Sequence, residues 1–121
     1  MGLLRKGKIT LKLWLDDCRP APEGYVWLKS VNDAKTVILD QEREFAYLFR
    51  RDVYKPDYLI TLIDIDHDAG DFANDGGDYI KLLDWLEETG RAYPIHIHSA
   101  NSVGVANMRR IIERNGWKEI R

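Results

Sequence analysis

Apolar residues follow two patterns along this chain. Short continuous runs of aliphatic and aromatic residues are typical of strands that are buried on both faces of a parallel sheet. They predict strands at about residues 9–15, 25–29, 58–65, 93–98 and 117–121. Between them, apolar residues recur at helical spacing, which predicts helices at about residues 30–52, 78–89 and 102–115.

The order of these elements, β-β-α-β-α-β-α-β, is typical of a doubly wound α/β sheet. With right-handed crossovers, we expect a three-layer, mainly parallel sheet with strand order 2-1-3-4-5. The first two strands are joined by only about eight residues, fewer than the dozen or more that a parallel crossover needs. Either this crossover has lost its helix, or the second strand is antiparallel. We favour the loss of the helix.

Length and composition limit the class of protein. A chain of 121 residues is long enough for one core, so we expect a single domain over residues 1–121 with a loosely held lead-in at residues 1–8. The net charge of −2 argues against a broad nucleic-acid-binding surface. The single cysteine, Cys18, excludes an internal disulfide. No apolar run approaches the roughly 20 residues of a membrane span, so we expect no membrane association and a cytoplasmic location.

Polar residues directly follow three of the predicted strands. They are Asp16 and Asp17 after the first strand, Asp66, His67 and Asp68 after the third, and His98 and Ser99 after the fourth. These strands are neighbours in the expected order, and open parallel sheets place their ligand sites at the carboxyl ends of the strands. We therefore expect these polar side chains to meet at one edge of the sheet.

A cluster of carboxylates points to metal-assisted phosphate chemistry. Neighbouring carboxylates raise one another's pKa unless a cation neutralises them, and Mg²⁺ is a hard ion that suits oxygen ligands. Its partly filled shell leaves room for phosphate oxygens. The helix N-terminus at Asn101 and Ser102 offers backbone N–H groups to an anion, and Arg19 offers a bidentate contact.

Several of these residues also have structural interpretations. Asp16 or Asp17 can cap the turn that follows the first strand. His96 lies deeper in its strand than His98 and is expected to be a hydrogen-bonded core residue rather than a ligand. Asp64 points the same way as Asp66 in an extended strand, and either ligates the metal or hydrogen-bonds a neighbouring strand end.

Three segments resemble the motifs of a known family. They are LWLDDCRPAPEGYVW at residues 13–27, DIDHDAGD at residues 64–71 and IHSANSVGVANM at residues 97–108. Together they resemble the cyclic-phosphate processing receiver-like domains, a divergent branch of the response-regulator receiver fold. The resemblance implies a flavodoxin-like receiver fold over nearly the whole chain. It also implies action on cyclic phosphate ends of RNA or of nucleotides.

The resemblance gives each candidate residue an expected role. The expected catalytic residues are Asp66, His67 and His98. The expected phosphate ligands are Arg19, Ser99 and Asn101. The expected ligands of Mg²⁺ or Mn²⁺ are Asp16, Asp17, Asp66 and Asp68. Asp64 departs from the small polar residue of the family and adds a charge. The lysine that follows the fifth strand of ordinary receivers has only a weak counterpart in Lys118, which disfavours signalling by phosphotransfer.

We therefore hypothesise a metal-dependent phosphoesterase whose partner is a phosphate-bearing small molecule or an RNA terminus. The alternative is a binding module without turnover, in which Asp66 accepts a phosphoryl group or the pocket senses a nucleotide. A third interpretation is an adaptor with a structural metal. The sequence does not indicate the oligomeric state.

Overall fold

The structure, a computed structural model, describes residues 9–50 and 58–121. It contains one sheet of four parallel strands in the order β2-β1-β3-β4. The strands are β1 (Ile9–Leu15), β2 (Tyr25–Leu28), β3 (Tyr58–Ile65) and β4 (Ile95–Ile97). The predicted mainly parallel α/β sheet of the receiver type and the predicted order of these four strands are confirmed. The predicted lead-in at residues 1–8 lies outside the described residues.

Three α-helices connect the later strands. They are α1 (Val31–Arg50), α2 (Ile80–Glu88) and α3 (Ser102–Asn115), and a short 3-10 helix spans Gly70–Asn74. Ser30 caps α1 by accepting a hydrogen bond from the Asp33 N–H at 3.0 Å. Asn101 caps α3, and Gly116 ends it in the left-handed conformation, with φ of 68°. None of the helices in the described part of the chain combines the length and the hydropathy that a bilayer-spanning helix needs.

The short connection between the first two strands left open whether β2 runs parallel or antiparallel to β1. β2 is parallel to β1, with Trp14 beside Trp27. The connection between these strands contains no helix, so the favoured interpretation of a lost crossover helix is confirmed. The segment predicted as a fifth strand lies beside β4, as the predicted order requires. It pairs there through a single parallel bridge between Ile95 and Glu119, because β4 itself has only three residues.

The connections place the described helices on one face of the sheet. The crossovers from β2 to β3 and from β3 to β4 run in the same direction across the sheet, and α3 continues that way. Right-handed connections that run in one direction lie on one face. The three-layer prediction expected helices on both faces. Within residues 9–50 and 58–121 they lie on one, because the connection that runs the other way, from β1 to β2, has lost its helix.

The hydrophobic core lies between these helices and one face of the sheet. The strands contribute Leu13, Leu15, Ile63, Ile65 and Ile95, all fully buried. The helices contribute Val31, Ala34, Ile38, Leu82, Leu83, Leu86, Met108, Ile111 and Ile112. Since side chains alternate across a strand, the other face carries Trp14 and Asp64, and its continuation beyond the strand ends carries the polar residues of the site.

Glu87 joins α2 to α3 through an ion pair that predicts an unusual titration. The hydrogen bonds from Arg114 and Asn115 lower the pKa of Glu87 to about 2 from its ordinary value of 4.5. A lowered pKa in the folded state stabilises the fold above pH 4.5, and this contribution is lost as the pH falls toward 2. We expect an NMR titration of the Glu87 carboxyl carbon to have its midpoint near pH 2. In Arg114→Gln the midpoint should move toward 4.5; an unchanged midpoint there would assign the shift to another cause.

Candidate functional site

The ends of β1, β3 and β4 bring three predicted site residues together. Asp16, Asp66 and His98 are each the first residue after their strand, and the ladder continues past the strand ends through two backbone hydrogen bonds. The Asp66 N–H donates to the Leu15 carbonyl at 2.9 Å, and the His98 N–H donates to the Ile65 carbonyl at 2.9 Å. One ligand atom from each of the three side chains lies within 4.8 Å of the others. The sheet register therefore fixes this group, which we call the strand-end group.

His98 lies between two carboxylates. Its Nε2 is 2.9 Å from Asp16 Oδ2, and its Nδ1 is 2.6 Å from Asp64 Oδ1. Burial opposes the charged form, but the hydrogen bonds to Asp64 and Asp16 raise the pKa of His98 above its ordinary value. The two carboxylates thus favour the protonated, positively charged form of the ring. It is also held flat against Trp14, with the ring centroids 3.9 Å apart.

Asp64 and Asp16 are the buried partners of this cation. Of the two roles considered for Asp64, the structure shows the hydrogen bond to a neighbouring strand end. Asp16 Oδ1 accepts hydrogen bonds from the N–H groups of Cys18 and Arg19, at 2.9 and 2.8 Å. Burial alone would raise the pKa of Asp16; these backbone bonds and His98 instead hold it below the ordinary value. Asp16 is therefore an ionised carboxylate that also orders the first loop, the structural role that the sequence left open.

Asp66 differs from Asp16 in having one carboxylate oxygen that accepts no hydrogen bond from the described residues. Its Oδ1 accepts a hydrogen bond from the His67 N–H at 2.7 Å. Its Oδ2 accepts no hydrogen bond within the described residues, and Arg19 Nη2 lies 3.7 Å away. The side chain is 13% exposed, against 1% for Asp16. Asp66 is thus the carboxylate of the strand-end group that is most open to a ligand.

Arg19, a predicted phosphate ligand, lies against both acids of the strand-end group. Its Nε is 3.3 Å from Asp16 Oδ2, and its Nη2 donates to the His98 carbonyl at 3.3 Å. The side chain is 57% exposed, so it can leave the acids without disturbing the core. The positive charge of the Arg19 guanidinium offsets the repulsion between the two adjacent carboxylates.

His67 and Asp68 form a second group, on the loop after β3. His67 Nδ1 is 2.8 Å from Asp68 Oδ1, and the hydrogen bond from His67 holds the pKa of Asp68 below its ordinary value. Asn101 Nδ2 lies 3.3 Å from Asp68 Oδ2. Ligand atoms of His67, Asp68 and Asp78 lie within 4.8 Å of one another. The structure therefore brings Asp68 to His67 and not into the strand-end group with Asp16 and Asp66.

The geometry of His67 suits proton transfer better than that of His98. With Nδ1 bonded to Asp68, the other ring nitrogen of His67 makes no hydrogen bond to any described residue. A histidine that is oriented by a carboxylate through one nitrogen presents the other nitrogen to a substrate or water. In His98 both nitrogens are occupied. The sequence named both histidines, and the hydrogen bonds distinguish them.

Gly104 makes room for the His67 ring, which gives a testable prediction. A Cβ at position 104 would overlap Cγ and Cδ2 of His67. Gly→Ala in a helix interior ordinarily stabilises by about 1 kcal/mol. Here we expect Gly104→Ala to destabilise by about 1–3 kcal/mol through overpacking, and to displace the His67 ring from Asp68. Thermal unfolding and the imidazole NMR signals of His67 would measure both effects.

The control for Gly104→Ala is Ala106→Gly in the same helix. Ala106 is exposed, so this change reports helix propensity alone. A Gly104→Ala protein that is more stable than the wild type, with His67 signals unchanged, would contradict the close contact.

Four other candidates lie around these groups. Ser99 Oγ accepts a hydrogen bond from the Asn101 N–H at 3.1 Å, and Asn101 Oδ1 accepts one from the Gly104 N–H at 2.9 Å. Asp17 belongs to neither group, and its Oδ2 lies against Gly70, where a Cβ would overlap it. His96 Nδ1 is 2.8 Å from the Ile120 carbonyl oxygen, as expected of a hydrogen-bonded structural histidine.

Sequence reasoning missed three contributors to the site. The Trp14 ring is stacked on His98, and its position two residues before Asp16, on the same strand face, was the available signal. The Trp27 Nε1 donates to the Asp16 carbonyl at 2.7 Å. The Asp78 Oδ1 accepts a hydrogen bond from the Ala69 N–H at 2.9 Å, and its position beside His67 has no signal in the sequence.

Comparison with known proteins gives one match. A family model described as the cyclic-phosphate processing receiver domain matches residues 11–114 of this chain. No curated protein and no solved structure matches it. The matched range includes both groups of site residues and all three α-helices apart from the last residue of α3.

Proposed function

The chain belongs to the family of cyclic-phosphate processing receiver domains, and on this premise we propose that it is a metal-dependent phosphoesterase that opens cyclic phosphates. One observation carries the proposal. His67, bonded through its backbone N–H to the most open carboxylate of the site, Asp66, has its ring oriented by Asp68 and keeps one ring nitrogen without a hydrogen bond to any described residue. A receiver that only accepts a phosphoryl group has no need of such a histidine.

The two carboxylates of the strand-end group, Asp16 and Asp66, fit a divalent cation, whereas both ring nitrogens of His98 are already bonded to carboxylates. Asp66 Oδ2 has no hydrogen bond within the described part of the chain, and the Arg19 guanidinium already stands at the two carboxylates as a positive charge. Asp66 and Asp16 would hold the ion, and Asp17 and Asp68 are further ligands proposed from the sequence. When bound, Mg²⁺ or Mn²⁺ would supply positive charge to the phosphate oxygens.

The remaining roles in the proposed reaction belong to side chains and backbone groups of the chain. His67 takes a proton from the attacking water through its second ring nitrogen and returns it to the sugar oxygen that leaves as the cyclic phosphate opens, while Asp68 holds the ring in position. Arg19, whose exposed guanidinium lies at the two acids, would bind a phosphate oxygen. Ser99 and the backbone N–H groups at the start of α3 face the same edge of the sheet and provide neutral donors. His98 holds Asp16 and Asp64 in place by bonding to both.

The substrate that we propose to try first is a 2′,3′-cyclic phosphate, either as a nucleotide or at the end of an RNA. This choice follows from the family and not from the shape of the site. With a net charge of −2 the chain lacks the bulk charge of a nucleic-acid-binding surface, so an RNA would be engaged mainly at its terminus.

Asp66→Asn is the variant that tests the proposal. The amide removes the negative charge that an ion requires but keeps the size of the side chain. We expect metal affinity and turnover of a panel of cyclic phosphates to fall together, by more than the roughly 10–100-fold that supporting residues contribute. Calorimetry with Mn²⁺ would measure the metal affinity, and chromatographic detection of the monoester product would measure the turnover.

The matched control is Asp71→Asn. Asp71 is an exposed carboxylate on the 3-10 helix of the same loop, and this variant should bind metal and turn over substrate as the wild type does. Full turnover in Asp66→Asn would remove Asp66 from the mechanism.

A second function rests on the same open oxygen of Asp66. An exposed carboxylate oxygen after the third strand also suits a phosphoacceptor, in which case the domain would be labelled without turnover. Stable binding of beryllofluoride, together with no hydrolysis of any cyclic phosphate, would favour this alternative over the esterase.

A further inference from the structure

Two exposed aromatic side chains border the strand-end group. Among the described residues, the exposed large hydrophobic side chains are Trp27, Leu39, Phe72 and Val103. Trp27 and Phe72 are each 36% exposed. The Trp27 indole is anchored to the site, because its Nε1 donates to the carbonyl oxygen of Asp16 at 2.7 Å. Phe72 lies on the 3-10 helix that follows the loop of His67 and Asp68.

The two rings face a common space. The Lys29 ammonium lies over both of them, 4.6 Å from the centroid of Trp27 and 5.8 Å from that of Phe72. Lys29 is itself exposed, so this space opens to solvent. An ammonium over a ring occupies the face on which another π-system can stack. Trp27, Lys29 and Phe72 therefore form one exposed surface, which we call the aromatic platform.

The indole of Trp14 provides a contrast. Its ring is stacked flat on His98, with an interplanar angle of 6°, and the edge of Tyr25 meets it at 82°. Both contacts of the Trp14 ring are therefore with the protein itself, and the ring holds His98 in position. Trp27 has an edge anchored by its Nε1 and a face over which the Lys29 ammonium lies. Its exposure is left unexplained by packing.

We propose that the aromatic platform binds the nucleobase of the cyclic phosphate, with the base stacked on Trp27. This inference rests on the proposed function and adds to it the surface on which the base of the substrate is bound. Aromatic stacking accepts every base, because each base has a π-face. The Lys29 ammonium, displaced from the ring, is then placed to meet a neighbouring phosphate.

The charge of the site supports a base next to the phosphate pocket. The strand-end group is acidic, so a simple phosphate gains little from its surroundings without a cation. Stacking supplies affinity that does not depend on charge, about 1–3 kcal/mol per base when tested by alanine substitution. A substrate that carries both a phosphate and a base uses both parts of this edge.

The test compares the binding of two ligands that contain no cyclic phosphate to be opened. Adenosine 3′-phosphate and methyl riboside 3′-phosphate carry the same sugar and phosphate, and only the first carries a base. Their affinities are measured by calorimetry in the presence of Mg²⁺. We expect the wild type to bind the adenosine ligand at least about tenfold more tightly, within the range of one stacked base.

The variants separate stacking from anchoring. Trp27→Leu should bring the adenosine ligand to the affinity of the base-free ligand, and Phe72→Leu should lower it in part. Trp27→Phe loses the bond to Asp16 but keeps an aromatic face, so it should retain the preference for the base. Leu39→Ala, a change at a side chain that is 39% exposed on α1, is the control and should leave both affinities unchanged.

The outcomes distinguish this inference from the proposed function. Equal affinity of the two ligands for the wild type overturns the platform and leaves the phosphate site standing. An equal loss of both ligands in Trp27→Leu also overturns it, because Trp27 would then only position Asp16. Absence of binding by either ligand overturns the phosphate site itself, and the platform with it.

Discussion

Replacing His67 with glutamine is expected to lower kcat for a cyclic phosphate by about 10²–10⁴-fold, the range that a positioned acid–base residue contributes. The glutamine amide can still hydrogen-bond Asp68, so the loop keeps its shape. It cannot take up or release a proton at neutral pH, and this alone is the property that the proposal requires. Metal affinity, measured by calorimetry, should change little, because Asp16 and Asp66 remain.

The control for this variant is His96→Gln. His96 bonds the Ile120 carbonyl through Nδ1 and belongs to neither group of the site. Its replacement should affect stability rather than kcat. If His67→Gln retains the turnover of the wild type while His96→Gln does not, the assignment of the proton-transfer residue is wrong.

Replacing His98 with leucine destabilises the fold by about 3–5 kcal/mol, the cost of leaving a buried charge without its partner. The His98 side chain is only 10% exposed, and it separates Asp16 from Asp64, whose side chains are 1% and 8% exposed. Without the imidazolium, two buried carboxylates face each other across the space it filled. Urea unfolding at pH 7 would measure the loss.

A second variant shows whether charge or packing is responsible. In Asp64→Leu combined with His98→Leu, one of the two stranded carboxylates is removed, and an apolar pair replaces an ionic pair. Such replacements are often neutral or stabilising, so the double variant should recover a large part of the loss. A double variant that is less stable than His98→Leu would mean that packing on Trp14, rather than charge, sets the stability of the site.

The sequence predicted that Asp16, Asp66 and His98 lie together, because the end of a buried strand can be recognised from the local pattern of apolar and polar residues. The last apolar residues of the three runs are Leu15, Ile65 and Ile97, so Asp16, Asp66 and His98 could be placed at strand ends without knowledge of tertiary contacts. Parallel pairing in the order 2-1-3-4 then brings the three together. The sequence could favour one direction for β2 without deciding it, because a short connection permits either direction.

The roles of the two histidines could not be predicted in this way. They depend on which carboxylate meets which ring nitrogen, and each partner of His98 comes from a different strand. Asp68 stands two residues after Asp66 in the sequence, which placed it in the same predicted metal site. The chain has left the extended conformation by then, so the alternation rule no longer applies, and Asp68 lies with His67 instead.

The proposed hydrolysis is tested most directly by ³¹P NMR of cytidine 2′,3′-cyclic phosphate, incubated with the protein and Mg²⁺ in water enriched in ¹⁸O. We expect the cyclic phosphate signal to be replaced by a monoester signal that carries one oxygen from water, and this conversion to be lost in Asp66→Asn. An unchanged cyclic phosphate signal with the wild-type protein, under conditions in which the metal is bound, would contradict the proposed hydrolysis.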